Sequence, residues 1–214
     1  MARDFNGTTD EALAGSAVLT ATPISFSAWF DSDAAGDDVL VGLTASGSAQ
    51  RFIVRLSGSS TIVANARDGV GNKDATTSTT FSTGVWNHAG AAFASSTSRA
   101  AYLNGGGKGT NATSSTPASI DRTSLAFSAG ISAELFFDGK LAEIGIWDVE
   151  LTDAEFLTLS KGLCPKFVRP ANLRLYVPMY GTDSPELDQW KRAASFTLAG
   201  TSKAAGHPRI YYPG

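Results

Sequence analysis

Glu134, Asp138 and Glu143 are the acidic residues whose spacing comes nearest to hydrolytic chemistry. Alternation along a strand places residues four apart on one face, so Glu134 and Asp138 share parity. A retaining glycosidase needs its two carboxyl groups about 5 Å apart, and an inverting one roughly 6.5–9.5 Å. Gly139 interrupts the strand pattern before Glu143, so no paired-carboxylate centre is expected. Nucleophilic catalysis has little to draw on. Cys164 is the single cysteine, and Leu163-Cys-Pro-Lys-Phe167 reads as a setting for a small buried hydrophobe. His88 and His207 are the only histidines, and neither has the spacing of a zinc ligand or a triad partner. The loop Asp31-Ser-Asp-Ala-Ala-Gly-Asp-Asp38 is acidic. Asp31, Asp33, Asp37 and Asp38 are therefore the candidate ligands for Ca²⁺, which gathers about six to eight oxygen atoms. The loop lacks the EF-hand pattern and reads first as a solvated turn, so no cofactor is expected, with calcium the alternative. Tyr180, Trp190, Tyr211 and Tyr212 lie outside the clear strands and could stack on a sugar, although core or interface packing is the first reading for each.

The charge is divided along the chain. Residues 1–160 carry nine Lys and Arg against 17 Asp and Glu, whereas residues 161–214 carry eight against three. The basic residues of the tail are scattered rather than blocked, so no nucleic-acid arm is expected and the tail is read as packing on its own acidic body. No run of 18 apolar residues is present, and no membrane span is expected. Nor does the N-terminus show the apolar stretch of a signal peptide.

These groups must be positioned by strands. The chain has 214 residues, 43% of them hydrophobic and only 17% charged, with 12 Phe and 4 Trp to bury. Short segments of alternating or apolar character recur between Gly, Ser, Thr and Asp clusters: 24–30, 39–43, 50–56, 61–66, 84–93, 99–103 and 141–147. That rhythm predicts a sandwich or barrel rather than β-α-β units. Asn104-Gly105 predicts a tight hairpin turn. In 141–147, alternation places Ala142, Ile144 and Ile146 on one face. Trp86 and Phe93 are expected to fill the space between sheets. One short helix is expected after Leu151, with Thr152 as N-cap, Glu155 completing a capping box and Gly162 stopping it. Residues 163–214 are too few for a second core and are expected to complete the sheets of a single domain spanning 1–214.

Four segments in order resemble the laminin-G-like branch of the concanavalin-A-like lectin/glucanase superfamily: Asp4-Phe-Asn-Gly-Thr-Thr-Asp10, Ile24-Ser-Phe-Ser-Ala-Trp29, Gly84-Val-Trp-Asn-His-Ala-Gly-Ala-Ala-Phe93 with Ala100-Ala-Tyr-Leu-Asn-Gly105, and Phe137-Asp-Gly-Lys-Leu-Ala-Glu-Ile-Gly-Ile-Trp147 with Leu151-Thr-Asp-Ala-Glu155. The resemblance implies an all-β fold, a two-sheet antiparallel jelly-roll sandwich with one short helix. It also implies a structural role for His88, hydrogen-bonded across the sheet. Leu173-Arg-Leu-Tyr-Val-Pro-Met179, Asp188-Gln-Trp190 and Phe196-Thr-Leu-Ala-Gly-Thr201 resemble a segment that precedes the family's start, as if the domain were circularly permuted. The ending His207-Pro-Arg-Ile-Tyr-Tyr-Pro213 is similar to family members of phage and prophage genomes.

That similarity implies a non-catalytic virion structural protein, a decoration protein displayed on the surface of a phage capsid. Its partners would be the major capsid protein or another virion protein, and further copies of itself. A carbohydrate-binding adhesion module with a glycan ligand is the alternative. For a partner interface, the candidates are Arg169, Arg174, Trp190, Lys191, Arg192, Arg209, Tyr211 and Tyr212, because Arg and aromatic anchors dominate contact energetics.

Overall fold

A computed structural model describes residues 2–130, 133–180, 184–192 and 194–213. Eighteen strands form within them. The first ten are β1 (Ala2–Asn6), β2 (Glu11–Ala14), β3 (Ile24–Ser32), β4 (Val39–Thr44), β5 (Arg51–Leu56), β6 (Ile62–Asp68), β7 (Gly71–Thr76), β8 (Asn87–Ser95), β9 (Ser98–Leu103) and β10 (Gly106–Asn111). There follow β11 (Arg122–Leu125), β12 (Ser128–Ala129), β13 (Ala133–Glu134), β14 (Asp138–Trp147) and the helix α1 (Asp153–Ser160). The chain closes with β15 (Leu173–Val177), β16 (Glu186–Leu187), β17 (Ser195–Ala199) and β18 (Ser202–Ala204).

Two antiparallel sheets of eight strands face each other. The first runs β10-β9-β8-β3-β14-β1-β18 with β15 also on β14, and the second runs β16-β17-β2-β11-β4-β5-β6-β7. The C-terminal strands join both: β15 pairs with β14, β18 with β1, and β17 with β2. Between the sheets lie Phe26 and Phe30 of β3, Phe52 of β5, Phe93 of β8 and Phe196 of β17, all buried. Phe93 meets Phe26 and Phe52 edge-on, at 5.9 and 5.4 Å between ring centres. Edge-to-face contact sets the positive ring edge against the negative face, which adds to the large area such rings remove from water.

Two expected placements are corrected. Trp86 does not enter the space between sheets. It sits half-buried on the outer side of the first sheet with Trp29, Ala2, Ala142 and Ala204. The reason is parity: Ala89, Ala91 and Phe93 point inward along β8, so an even-numbered residue just before the strand points out. Ala142 is also on the outer side. A β-bulge between Ala142 and Gly145 shifts the register against β3, so Leu141 faces inward before it and Ile144 and Ile146 after it.

The outer face of the first sheet carries a second apolar layer. Helix α1 begins as its sequence dictates: Thr152 Oγ1 accepts from the Glu155 amide, and the Glu155 carboxylate accepts from the Thr152 amide. Lys161 ends it, and Gly162 follows at φ +93°. Phe156 projects from the helix onto Gly90, where a Cβ would come within 2.5 Å of its ring, and stacks on Tyr102 at 4.2 Å. Burial of one such ring contributes about 1.5–3 kcal/mol. Cys164 and Tyr176 complete this layer, and burial pushes the Cys164 thiol up. Cys164 thus behaves as a small core hydrophobe.

Candidate functional site

At one rim of the sandwich, β1 lies between β14 and β18, with Asn6 opposite Asp138, and Asp4 opposite Lys140 on one side and Ser202 on the other. The turn after β1 is built around the Asn6 side chain. Its Oδ1 accepts from the amides of Thr8, Thr9 and Asp10 at 3.0, 3.0 and 3.1 Å, and the Asp10 carboxylate accepts from the Asn6 amide at 3.2 Å. An Asn side chain thereby satisfies three amides that no strand partner reaches. Asp10 is held almost fully buried by this exchange.

The rim encloses an open cavity of about 320 Å³ lined by Asp4, Phe5, Asn6, Asp10, Asp33, Asp138, Gly200 and Ser202. Two glycines let its walls close. Gly7, at φ +69°, lies where a Cβ would stand 2.8 Å from that of Asp138, and Gly200, at φ +76°, where one would stand 1.9 Å from Asp10 Oδ1. Four carboxylates share the cavity. Burial raises the Asp4 carboxyl above its ordinary range, against the pull of Lys140, and Asp33, Asp138 and Asp10 push it further the same way. Lys140 supplies the counter-charge at the edge, 3.0 Å from Asp31 and 3.9 Å from Asp33. Carboxylate and amide acceptors around an open polar cavity suit a ligand rich in hydroxyl donors.

The acidic loop does not gather at one point. Asp31 pairs with Lys140, Asp33 lines the rim cavity and Asp37 pairs with Arg55 at 2.7 Å. Asp38 is raised to about 6, by burial first and then by Asp138 and Asp37. Among the described residues, no three His, Cys, Asp or Glu side chains converge in a metal-holding group. The three carboxylates weighed for hydrolysis also separate. Glu134 pairs with Arg51 on the second sheet, Asp138 lines the rim, and Glu143 is wholly buried on the outer side of the first sheet. His88 is a structural group: its Nε2 lies 2.8 Å from Ser27 Oγ on the neighbouring strand, and burial lowers it to about 3.

The tail candidates divide. Arg169 pairs with Glu155 and Arg174 with Asp148, so both are engaged within the domain. Trp190 is half-buried against the apolar layer of α1. Lys191 and Arg192 are exposed. The amides of Tyr176, Trp190 and Lys191 all donate to Asp188, a wholly buried carboxylate that organises this turn. From sequence, Asp188 enters only through the resemblance of Asp188-Gln-Trp190 to the family's segment, with no role attached to it. Its Asp-Gln-Trp-Lys setting is a turn signal at most, and the Tyr176 amide it holds is 12 positions away. Arg209 stacks on Tyr211, 5.2 Å from the ring centre, and Tyr212 meets Tyr180 through their hydroxyls at 3.1 Å.

The paired eight-stranded sheets, the rim cavity and the single capped helix define a jelly-roll sandwich of the kind found in lectins and glucanases. A match over residues 6–156 goes further, and the chain belongs to the laminin G group described as the concanavalin A-like lectin/glucanases superfamily. A comparison with curated proteins finds no match. Among solved structures, the chain is similar to a protein from Bacteroides ovatus ATCC 8483 provisionally assigned to carbohydrate binding. The TM-score is 0.65 at 17% identity over 99% of this chain, which spans 62% of that protein's length. The native heptameric SAP-like pentraxin of Limulus polyphemus gives a TM-score of 0.66 at 13% identity, with 95% of each chain covered. The CBM40 of Ruminococcus gnavus IT-sialidase, bound to α2,3 sialyllactose, gives 0.59 at 10% identity, over 74% of this chain and 97% of that one. Likeness at these identities establishes a shared fold.

Proposed function

We propose that the protein is a non-catalytic carbohydrate-binding module whose rim cavity takes a neutral glycan end. The observation that carries this reading is the cavity itself: about 320 Å³, open, and lined by four carboxylates, an amide and a hydroxyl. Those groups accept hydrogen bonds from sugar hydroxyls, while their charge disfavours a carboxylated or sulfated sugar. The similar R. gnavus module is bound to a sialylated sugar, which supports a glycan ligand; the acidic rim argues for a different, uncharged one here. No acid–base pair is assembled from Glu134, Asp138 and Glu143, which supports binding without cleavage.

The test is calorimetry of the full chain against neutral and sialylated oligosaccharides from a glycan array, with Asp10→Asn and Asp33→Asn as cavity variants. Binding of a neutral sugar that falls in both variants supports the reading. Binding confined to sialylated sugars, or any sugar cleavage, overturns it. Attachment to a phage capsid as a decoration protein is a second reading, favoured by the basic aromatic tail with its exposed Arg209, Tyr211 and Tyr212. Retention of the protein on purified capsid shells, lost on removing residues 207–214, is the outcome that would support it.

A further inference from the structure

The outer side of the first sheet holds a row of aromatic side chains that the rim cavity does not use. Trp86 lies 6.5 Å from His207, and His207 lies 6.0 Å from Tyr180, between ring centres. The Tyr180 and Tyr212 hydroxyls are 3.1 Å apart, and Tyr212 lies 6.4 Å from Phe167. These five groups come from the loop before β8, the segment after α1, the end of β15 and the C-terminal segment. Backbone pairing fixes the last of these: Leu163 and Tyr211 form a parallel bridge, with Tyr211 N–H donating to Gly162 and Cys164 N–H to Tyr211. Phe167, Tyr180 and Tyr212 are 46%, 44% and 53% exposed.

We propose that this row is a second binding site, for an extended anionic polysaccharide chain. Three of its members offer a polar tip, the indole N–H and the two phenol hydroxyls, while the imidazole nitrogens turn to Glu143 and the Pro208 carbonyl. Rings of that kind match a sugar, which offers an apolar C–H face to a π-system and hydroxyls at its edge; a purely apolar row would match a protein anchor. Three of the four neighbouring pairs are tilted, by 52°, 45° and 81°, so the rings present no flat face of the kind a crystalline surface would need. The charge selects the sign. Lys166 precedes Phe167 and caps the buried Tyr176 ring, Lys161 adjoins Gly162, and Arg209 lies on Tyr211. Among the described residues none of these three cations forms an ion pair. The carboxylate beneath the row, Glu143, is wholly buried and faces Tyr176 and His207. The acidic rim and this basic row therefore favour opposite ligands.

Titrate the full chain with polygalacturonate and with its fully methyl-esterified form, which has the same backbone without the charge. Saturable binding is expected for polygalacturonate, weakening with salt as screening grows. Tyr180→Ala with Tyr212→Ala should weaken it by about tenfold. Lys166→Gln with Arg209→Gln should remove the preference for the charged form, and Asp10→Asn at the rim should leave chain binding unchanged. Tyr180, Tyr212 and Arg209 are exposed and Lys166 is half-buried, so an unchanged melting temperature confirms folding of those variants, while Asp10→Asn, at a nearly buried position, is compared well below its own melting transition. No saturable binding, equal affinity for the two polymers, or unchanged binding in the Tyr180/Tyr212 variant overturns the proposal. So does concentration-dependent self-association that those tyrosine substitutions abolish, which would make the row a contact between copies. Failure here leaves the rim reading intact, because neutral oligosaccharides test that site in the same protein.

Discussion

Tyr176 donates its hydroxyl hydrogen to Oε2 of Glu143 at 2.7 Å, at a point where Glu143 has no solvent exposure. The other carboxylate oxygen lies 3.1 Å from His207 Nε2. Glu143 sits at the bulge of β14, φ +55°, where the neighbour on that edge changes from β1 to β15. One carboxylate thus ties strand β15 and the C-terminal segment to the middle of the sheet. Tyr176→Phe leaves that oxygen buried and unpaired, and should cost about 1–3 kcal/mol. Glu143→Gln keeps an acceptor for Tyr176 and should cost less. Urea unfolding midpoints check both, and an unchanged midpoint for Tyr176→Phe would show that the contact contributes nothing.

The acid arm of stability should report His88. Burial lowers it from 6.5 to about 3, so the folded protein holds it neutral where the unfolded chain would bind a proton. Its contribution is full above pH 6.5 and is lost as the pH falls towards 3. His88→Gln keeps a hydrogen-bonding group opposite Ser27 and should flatten that part of the profile. Thermal midpoints across this range decide, and parallel profiles for the two proteins count against it.

Asp38 works in the opposite sense. Its carboxyl is raised from 3.8 to about 6, by burial and then by Asp138 and Asp37, so the folded state favours the protonated form. The stability that this proton brings is full below pH 3.8 and lost as the pH rises through 6. Asp38→Asn should therefore stabilise the protein above pH 6 and have little effect below pH 3.8. A gain that is equal at both ends would point to a cause other than ionisation.

Local rules carried most of the fold into the sequence. Thr152 and Glu155 announce a helix start, Asn104-Gly105 a turn with both residues at positive φ, and the alternation in 24–30 an inward face that the structure places in the core. What failed was non-local. Nothing beside Ala142 signals that β14 changes its edge partner two residues later, and the bulge that follows puts it on the other face. The rim cavity was half legible: Asp33 and Asp138 were weighed, but as parts of different sites. Asp4 and Asp10 appeared only within a family motif, because their meeting depends on β18 returning beside β1. The aromatic row was similarly scattered. Tyr180 and Tyr212 are 32 positions apart, and only the pairing of 162–164 with the C-terminal segment brings them together.

Gly200 gives the most direct route from a single residue to the rim cavity. It holds φ +76° in the turn between β17 and β18, and a Cβ there would lie 1.9 Å from Asp10 Oδ1. Gly200→Ala thus meets two objections together, a left-handed backbone and a collision with a nearly buried carboxylate. A strained position of that kind costs about 1–3 kcal/mol. Relief requires Asp10 to move, and Asp10 cannot move without loosening its bond to the Asn6 amide and the turn that Asn6 organises. The substitution should lower the melting temperature and weaken a rim-bound neutral sugar, while leaving polygalacturonate binding at the tail unchanged. Asp10→Asn separates the two effects, since it removes charge without adding volume: it should weaken the sugar with a smaller loss of stability. If Gly200→Ala destabilises the protein yet binds the sugar as tightly as the parent, the ligand does not sit at this rim.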